Sequence, residues 1–273
     1  MTLTLSQWAL ALPLGVLFSA VGTLVGLGGG IFMVPLLVLV FGVPFKIAVA
    51  VASFCIVPAC LLSTVFNVQR RQIDYSAGLA LEVPAVVGAV AGAALITLLP
   101  VRPMELVFAL VIALLAWKVL GGNRDKAAGG WLDRLNQLPP ALARQGPRGT
   151  YLVGIPAIGV VGFVAGIFAG LFGLGGGVFK TPTLVRLFQM PARTATATAL
   201  FTMVFTGIAA SVSHWLHGRL DWQLALPLAT AFLVGALIGN QFAGNIHSRT
   251  IEMILGTVLA IAAVAVAVHA VLN

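Results

Sequence analysis

Gly26-Leu27-Gly28-Gly29-Gly30 and Gly173-Leu174-Gly175-Gly176-Gly177 are the same five residues, GLGGG, standing 147 positions apart. The first copy continues as IFMVPLLVLVFGVP and the second as VFKTPTLVRLFQMP, so each glycine run leads into a short apolar segment bracketed by prolines. The same offset relates residues far outside the motif. Pro35 meets Pro182, Pro44 meets Pro191, Lys46 meets Arg193, and Asp74 meets Asp221. Gly88 and Gly92 meet Gly235 and Gly239, Arg102 meets Arg249, and Glu105 meets Glu252. The pattern is that of an internal duplication, and the glycine breaks are its candidate working part.

Composition sets the solvent. Of 273 residues, 60% are hydrophobic and 8% are charged, against about 25% charged in a soluble domain. Apolar runs of about 20 residues recur, each long enough to cross the hydrocarbon core. Short alternating segments, the mark of a transmembrane barrel, are absent. The expectation is an all-α polytopic protein embedded in the lipid bilayer. Its net charge of +8 does not point to nucleic acid, because Lys118, Arg124, Lys126, Arg134, Arg144 and Arg148 cluster in or beside one central stretch. The remaining cations punctuate short loops, as the positive-inside rule produces. Cys55 and Cys60 are five apart in one apolar run, a spacing that suits packing better than metal binding. No basic region precedes the first apolar run, which therefore reads as a retained helix.

The runs fall into three parts. Residues 1–120 form a first transmembrane repeat, 121–150 a cytoplasmic linker, and 151–273 a second repeat. Each repeat has four long helices and one short helix after its GLGGG break. In the first they are Trp8 to about Val25, Ile31 to Phe41, Phe45 to Asn67, Ala77 to Leu99 and Arg102 to about Leu120. In the second they are Leu152 to Phe172, Val178 to Phe188, Ala192 to Trp215, Leu224 to about Ala243 and Ile251 to Leu272. Trp131-Leu132-x-x-Leu135 in the linker hints at a short surface helix. If the short segments only dip into the bilayer the halves are parallel. If they complete a crossing the halves are inverted, and paired Gly/Pro-interrupted segments favour that architecture. Homo-oligomers are compatible with either.

Successive glycines free the backbone to leave helical geometry. Such backbone is tolerated at membrane depth only where protein or a watery cavity satisfies it. Each break starts a new helix whose first amides are unpaired and carry partial positive charge. Gly28, Gly29, Gly30, Gly175, Gly176 and Gly177 are thus candidates for holding a small anion, with no metal or cofactor required. Lys180, where the first half has Met33, would add a full charge, and Thr181 follows it. Thr194, Thr198, Thr202 and Thr206 recur every four residues as a hydroxyl ridge. Ser53, Cys60 and Asn67 form a stripe on the matching helix. Of these, Thr198, Thr202 and Ser53 are candidate substrate ligands; small residues easing helix packing are the plainer account. Proton or gating candidates are Asn67, its counterpart His214, and Glu82. Glu82 either reaches the interface or is a protonatable intramembrane group, and Ala229 stands at its counterpart. Lys180 lies three residues past Gly177, so no phosphate-binding loop is present. His269 stands alone in an apolar run, and no catalytic constellation is found.

The doubled GLGGG-x-x-x-x-Pro units at Gly26–Pro35 and Gly173–Pro182, with the loops Asp74-Tyr75 and Asp221-Trp222, resemble the TauE/SafE family of sulfite and sulfonate exporters. The likeness covers the chain apart from the linker. It implies a non-enzymatic permease of small anions, often oxidised sulfur compounds, in the bacterial inner membrane and coupled to the proton gradient. Arg71-Gln72-Ile73 before Asp74 differs from Gly218-Arg219-Leu220 before Asp221, which leaves open whether the halves contribute equally. The competing class is a channel-like or non-transporting membrane protein whose glycines serve packing.

Overall fold

A computed structural model describes residues 3–121, 134, 136, 138–146, 149–242 and 248–272. The candidate surface helix around Trp131 and Leu135 lies outside them. The first group of helices is α1 (Leu5–Val25), α2 (Gly30–Pro35, continued by a wide π turn over Leu36–Val40), α3 (Phe45–Gln69), α4 (Tyr75–Leu95) and α5 (Val101–Leu120). A hairpin follows, β1 (Ala141–Gly146) paired antiparallel with β2 (Gly149–Gly154). The second group is α6 (Ile155–Phe172), α7 (Gly177–Arg186), α8 (Ala192–Leu216), α9 (Trp222–Phe242) and α10 (Ser248–Leu272). Six of these helices, α1, α3, α4, α6, α8 and α9, are long and apolar enough to cross a membrane. Large apolar side chains such as Val83, Val87, Leu110 and Leu226 stay exposed on the outer faces, where lipid tails are as apolar as they are.

Local chemistry sets the ends. Thr4 opens α1 with a capping box, its hydroxyl accepting from Gln7 N while its own amide donates to Gln7 Oε1 at 2.9 Å,. Gly26, at φ +79°, closes α1 in the left-handed conformation that glycine adopts most easily,. Asp74 caps α4 by accepting from Ser76 N and Ala77 N, and Asp221 Oδ1 accepts from Gln223 N at the start of α9,. The Asp-aromatic loops are thus helix starts. Pro35 has no amide to donate, and the wide turn begins immediately after it. Leu152 and Val153, expected in a helix, lie in β2 instead. The helix waits for Ile155-Pro156, because proline suits a first turn whose amides have no partner anyway.

Contacts repeat with the 147-residue offset. A Cβ at Gly88 or Gly92 of α4 would lie 2.2 Å from the carbonyl oxygens of Phe163 and Ile167 in α6. At Gly235 or Gly239 of α9 it would lie 2.2 and 2.6 Å from those of Val16 and Ala20 in α1. The two G-x-x-x-G pairs therefore join each group of helices to the other. In both contacts residue numbers rise together, so α4 runs parallel to α6 and α1 parallel to α9. Asp74 N donates to Thr198 Oγ1, and Thr206 Oγ1 donates to Glu82 Oε1, so α4 also runs parallel to α8. The short loop Arg70–Asp74 turns the chain back, leaving α3 antiparallel to α4 and hence to α8. These two oppositely directed helices pack together at the centre.

Candidate functional site

The glycine runs cross one another beside α3 and α8. A Cβ at Gly30 would lie 2.5 Å from Gly173 O, and one at Gly177 would lie 2.7 Å from Gly26 O. Each half-helix start therefore faces the carbonyl that ends the helix before the other break. Gly28, Gly29, Gly175 and Gly176 all have positive φ, between 61° and 85°. A side chain at Gly28 or Gly175 would meet Met203 Cε within 2.6 and 2.5 Å, with Ile56 Cγ2 at 3.3 Å from both. Thr181 Oγ1 donates to Gly26 O at 2.8 Å and ties α7 to the first break.

Lys180 runs back from α7 along its own break; a Cβ at Gly176 would lie 3.2 Å from Lys180 Cε. Its ammonium is 0% exposed and stands 2.7 Å from Glu82 Oε2. It also donates to Thr206 Oγ1 at 2.6 Å, and the Thr206 hydroxyl donates to Glu82 Oε1. Glu82 does not reach an interface: it is 4% exposed and held in this triangle. Three helices supply the three groups, α7 the cation, α4 the carboxylate and α8 the hydroxyl. A buried charge needs such partners, since an isolated ion in low dielectric is very costly. A Cβ at Gly28 would lie 3.4 Å from Cys60 Sγ of α3, so the middle residue of the first half's polar stripe comes beside the first break.

The remaining candidates scatter. Thr198, Thr202 and Ser53 are all buried. Thr198 Oγ1 accepts from Asp74 N, Thr202 Oγ1 donates to Ala199 O of its own helix, and Ser53 Oγ donates to Val49 O of its own. Asn67 and His214 are buried near the ends of α3 and α8. Because those helices run oppositely, the two residues sit at opposite ends of the molecule rather than in one relay. His269 is not solitary: its Nδ1 stands 3.6 Å from Glu105 Oε2. Thr206 belongs to the site although only its place in the four-residue ridge marks it in the sequence. Ile56 and Met203 carry no chemical signal beyond their 147-residue spacing.

The sequence pattern of the family described as Sulfite exporter TauE/SafE matches residues 11–266. Among curated proteins, the chain is 27% identical to the probable membrane transporter protein YunE of Bacillus subtilis, over 93% of this chain and 94% of that one. It is 22% identical to the probable membrane transporter protein MJ0441 of Methanocaldococcus jannaschii, over 93% and 95%. A shorter stretch, 29% of this chain and 17% of the other, is 35% identical to Sulfite exporter TauE/SafE family protein 3 of Arabidopsis thaliana. No solved structure matches the chain.

Proposed function

Because this chain belongs to the TauE/SafE sulfite exporter family, we propose that it is a secondary transporter that exports a small anion, sulfite or an organosulfonate, across the bacterial inner membrane. The observation that carries the reading is the buried Lys180–Glu82–Thr206 triangle beside the second glycine break. While Glu82 is ionised it neutralises Lys180. When Glu82 takes a proton, Lys180 is left as an uncompensated cation at the start of a half-helix, where α7's dipole adds to its attraction for an anion. Proton and anion therefore favour each other's binding and travel in the same direction. Export then follows the anion's own outward gradient.

In this reading residues 1–120 and 151–273 are duplicated, inverted halves joined by a cytoplasmic linker, and they rock about the crossing of the breaks to alternate access. The opposite directions of α3 and α8, and the recurrence of helix ends at 147 residues, support it. Gly28–Gly30 and Gly175–Gly177 would offer backbone amides to the anion once the crossing opens, with Thr181, Thr198, Thr202 and Ser53 lining its way. Asn67 and His214 would flank the two openings.

Proteoliposomes loaded with sulfoacetate, which stays ionised near neutral pH, test this. Efflux should saturate and should acidify the receiving side in step with the anion. Flux that rises linearly with concentration and moves no protons would defeat the carrier in favour of a channel-like protein.

A further inference from the structure

The far end of α8 carries a second set of polar groups that the triangle does not use. His214 is 0% exposed and Ser211, one turn before it, is 6% exposed. Neither ring nitrogen of His214 makes a hydrogen bond of good geometry, although the backbone of Gly170 in α6 lies within reach of the ring. The Ser211 hydroxyl is likewise buried and unbonded. Arg219, in the loop that follows, donates from Nη2 to Ala93 O at 3.0 Å, while its Nε and Nη1 are buried and unpartnered. Buried polar groups are ordinarily satisfied, so several orphans in one place need a reason.

The opposite end of the molecule shows what fills the same place. The counterparts of Ala93 and Gly170 are Asn240 and Thr23. Asn240 Nδ2 donates to Ser63 Oγ at 2.8 Å and to Ala236 O, and Thr23 Oγ1 donates to Ser19 O at 2.9 Å. Arg70 Nη2 donates to Asn240 O at 2.9 Å, much as Arg219 does to Ala93 O. That end is closed by its own side chains. At the His214 end a methyl and a hydrogen replace an amide and a hydroxyl, and each group left over can donate: the Ser211 hydroxyl, the imidazole through its one N–H, and Arg219 with its permanent positive charge,. The carboxylate of Asp221, two residues from Arg219, has Oδ1 engaged with Gln223 N.

We propose that Ser211, His214 and Arg219 form a second anion pocket that takes a small oxyanion such as sulfite or a sulfonate group. Every two-donor edge of the Arg219 guanidinium includes Nη2, whose second hydrogen can join Nε–H or Nη1–H in gripping such an anion,, and the hydroxyl and the imidazole N–H supply further donors. The pocket lies about 12 Å further along α8 than Thr206, two helical turns away. It is a stepping site between the membrane surface and the Lys180–Glu82 pair. This role, though not the pocket's chemistry, rests on the anion-transport reading above.

Equilibrium binding of radiolabelled sulfate and sulfite to the detergent-purified full chain tests it. In a Lys180→Met/Glu82→Gln background, which removes the central charges, anion binding should persist. Adding Arg219→Gln or Ala93→Asn should then weaken it tenfold or more. Ala93→Asn installs the residue that the other end already carries, and Arg219→Gln changes a loop residue, so at least one of the two should keep the wild-type unfolding temperature. Binding that survives both changes overturns the pocket while leaving the transport reading intact. A wild-type chain that binds no oxyanion overturns both.

Discussion

Ile56 and Met203, 147 residues apart on α3 and α8, close on the same two glycines. Side chains at Gly28 and Gly175 would both lie 3.3 Å from Ile56 Cγ2 and within 2.6 Å of Met203 Cε. The apolar pair packs against the point where the glycine breaks cross; in the proposed transport cycle it is a plug that must move before an anion reaches the half-helix amides. Met203→Ala should widen the crossing and raise leak of sulfoacetate from liposomes several-fold, with saturation weakened. Gly175→Ala should do the reverse. It adds a clash with Met203 and about 1–2 kcal/mol of left-handed strain, and it should abolish flux while the protein still inserts. A Met203→Ala protein whose flux matches wild type would remove the plug from the transport cycle.

Helix α6 provides an internal control for the close contacts between the two groups of helices. A Cβ at Gly166 would lie 2.0 Å from Ala85 O, whereas at Gly159, on the same helix, nothing lies within 4 Å. Gly159→Ala should raise stability by up to about 1 kcal/mol from helix propensity alone. Gly166→Ala must push α4 and α6 apart and should cost about 1–3 kcal/mol, the usual range for overpacking. Unfolding in detergent, followed by circular dichroism with rising denaturant, reads both. Equal responses at the two positions would show that the helices are not held this closely.

Much of this arrangement is visible in the residues, and the reasons for what is not are physical. Hydrophobic runs and glycine punctuation are local signals, and the helix starts at Gly30 and Gly177 fall on the breaks themselves. Lys180 stands out because a cation in an apolar segment is rare. Glu82 stands out for the same reason, but its pairing with Lys180 does not, since the two are 98 residues apart on different helices and Ala229 at the position matching Glu82 gives no hint. Ser53 and Thr202 show the opposite limit: their faces can be read from periodicity, but a hydroxyl that bonds its own helix's carbonyl looks the same in sequence as one aimed at a ligand. The orphaned polar groups around His214 are recognisable only by comparing what fills the two ends.

Left-handed backbone recurs at matching loops with different residues. Arg71 has φ 52° where its counterpart Gly218 has 68°, and Gln189 has φ 53° where Gly42 has 63°. A Cβ at Gly42 or Gly218 would meet nothing within 4 Å, so only backbone strain opposes a side chain there. Gly42→Ala and Gly218→Ala should each cost about 1–2 kcal/mol. Gln189→Gly should relieve a similar strain, offset by the about 0.5–1 kcal/mol that glycine loses in unfolded-chain entropy, and leave stability unchanged or slightly higher. Thermal unfolding midpoints of the three variants check the signs; a lower midpoint for Gln189→Gly would contradict the shared loop geometry.

The Lys180–Glu82 pair separates stability from transport. Glu82→Gln leaves the buried ammonium with a neutral partner, and breaking a buried pair on one side costs about 3–5 kcal/mol. Lys180→Met strands the carboxylate and should cost as much, unless Glu82 takes up a proton. Replacing both, as Lys180→Met with Glu82→Leu, removes the uncompensated charge along with the pair. Such apolar replacements are often neutral or stabilising by about 1–4 kcal/mol, so the double variant should unfold at or above the wild-type temperature. Its proton-linked sulfoacetate flux should nevertheless be lost. Glu82→Gln, with Lys180 still charged, should keep anion exchange across liposomes but no longer move protons with the anion. A double variant that is stable and still couples protons to efflux would show that the pair serves only to hold α4, α7 and α8 together.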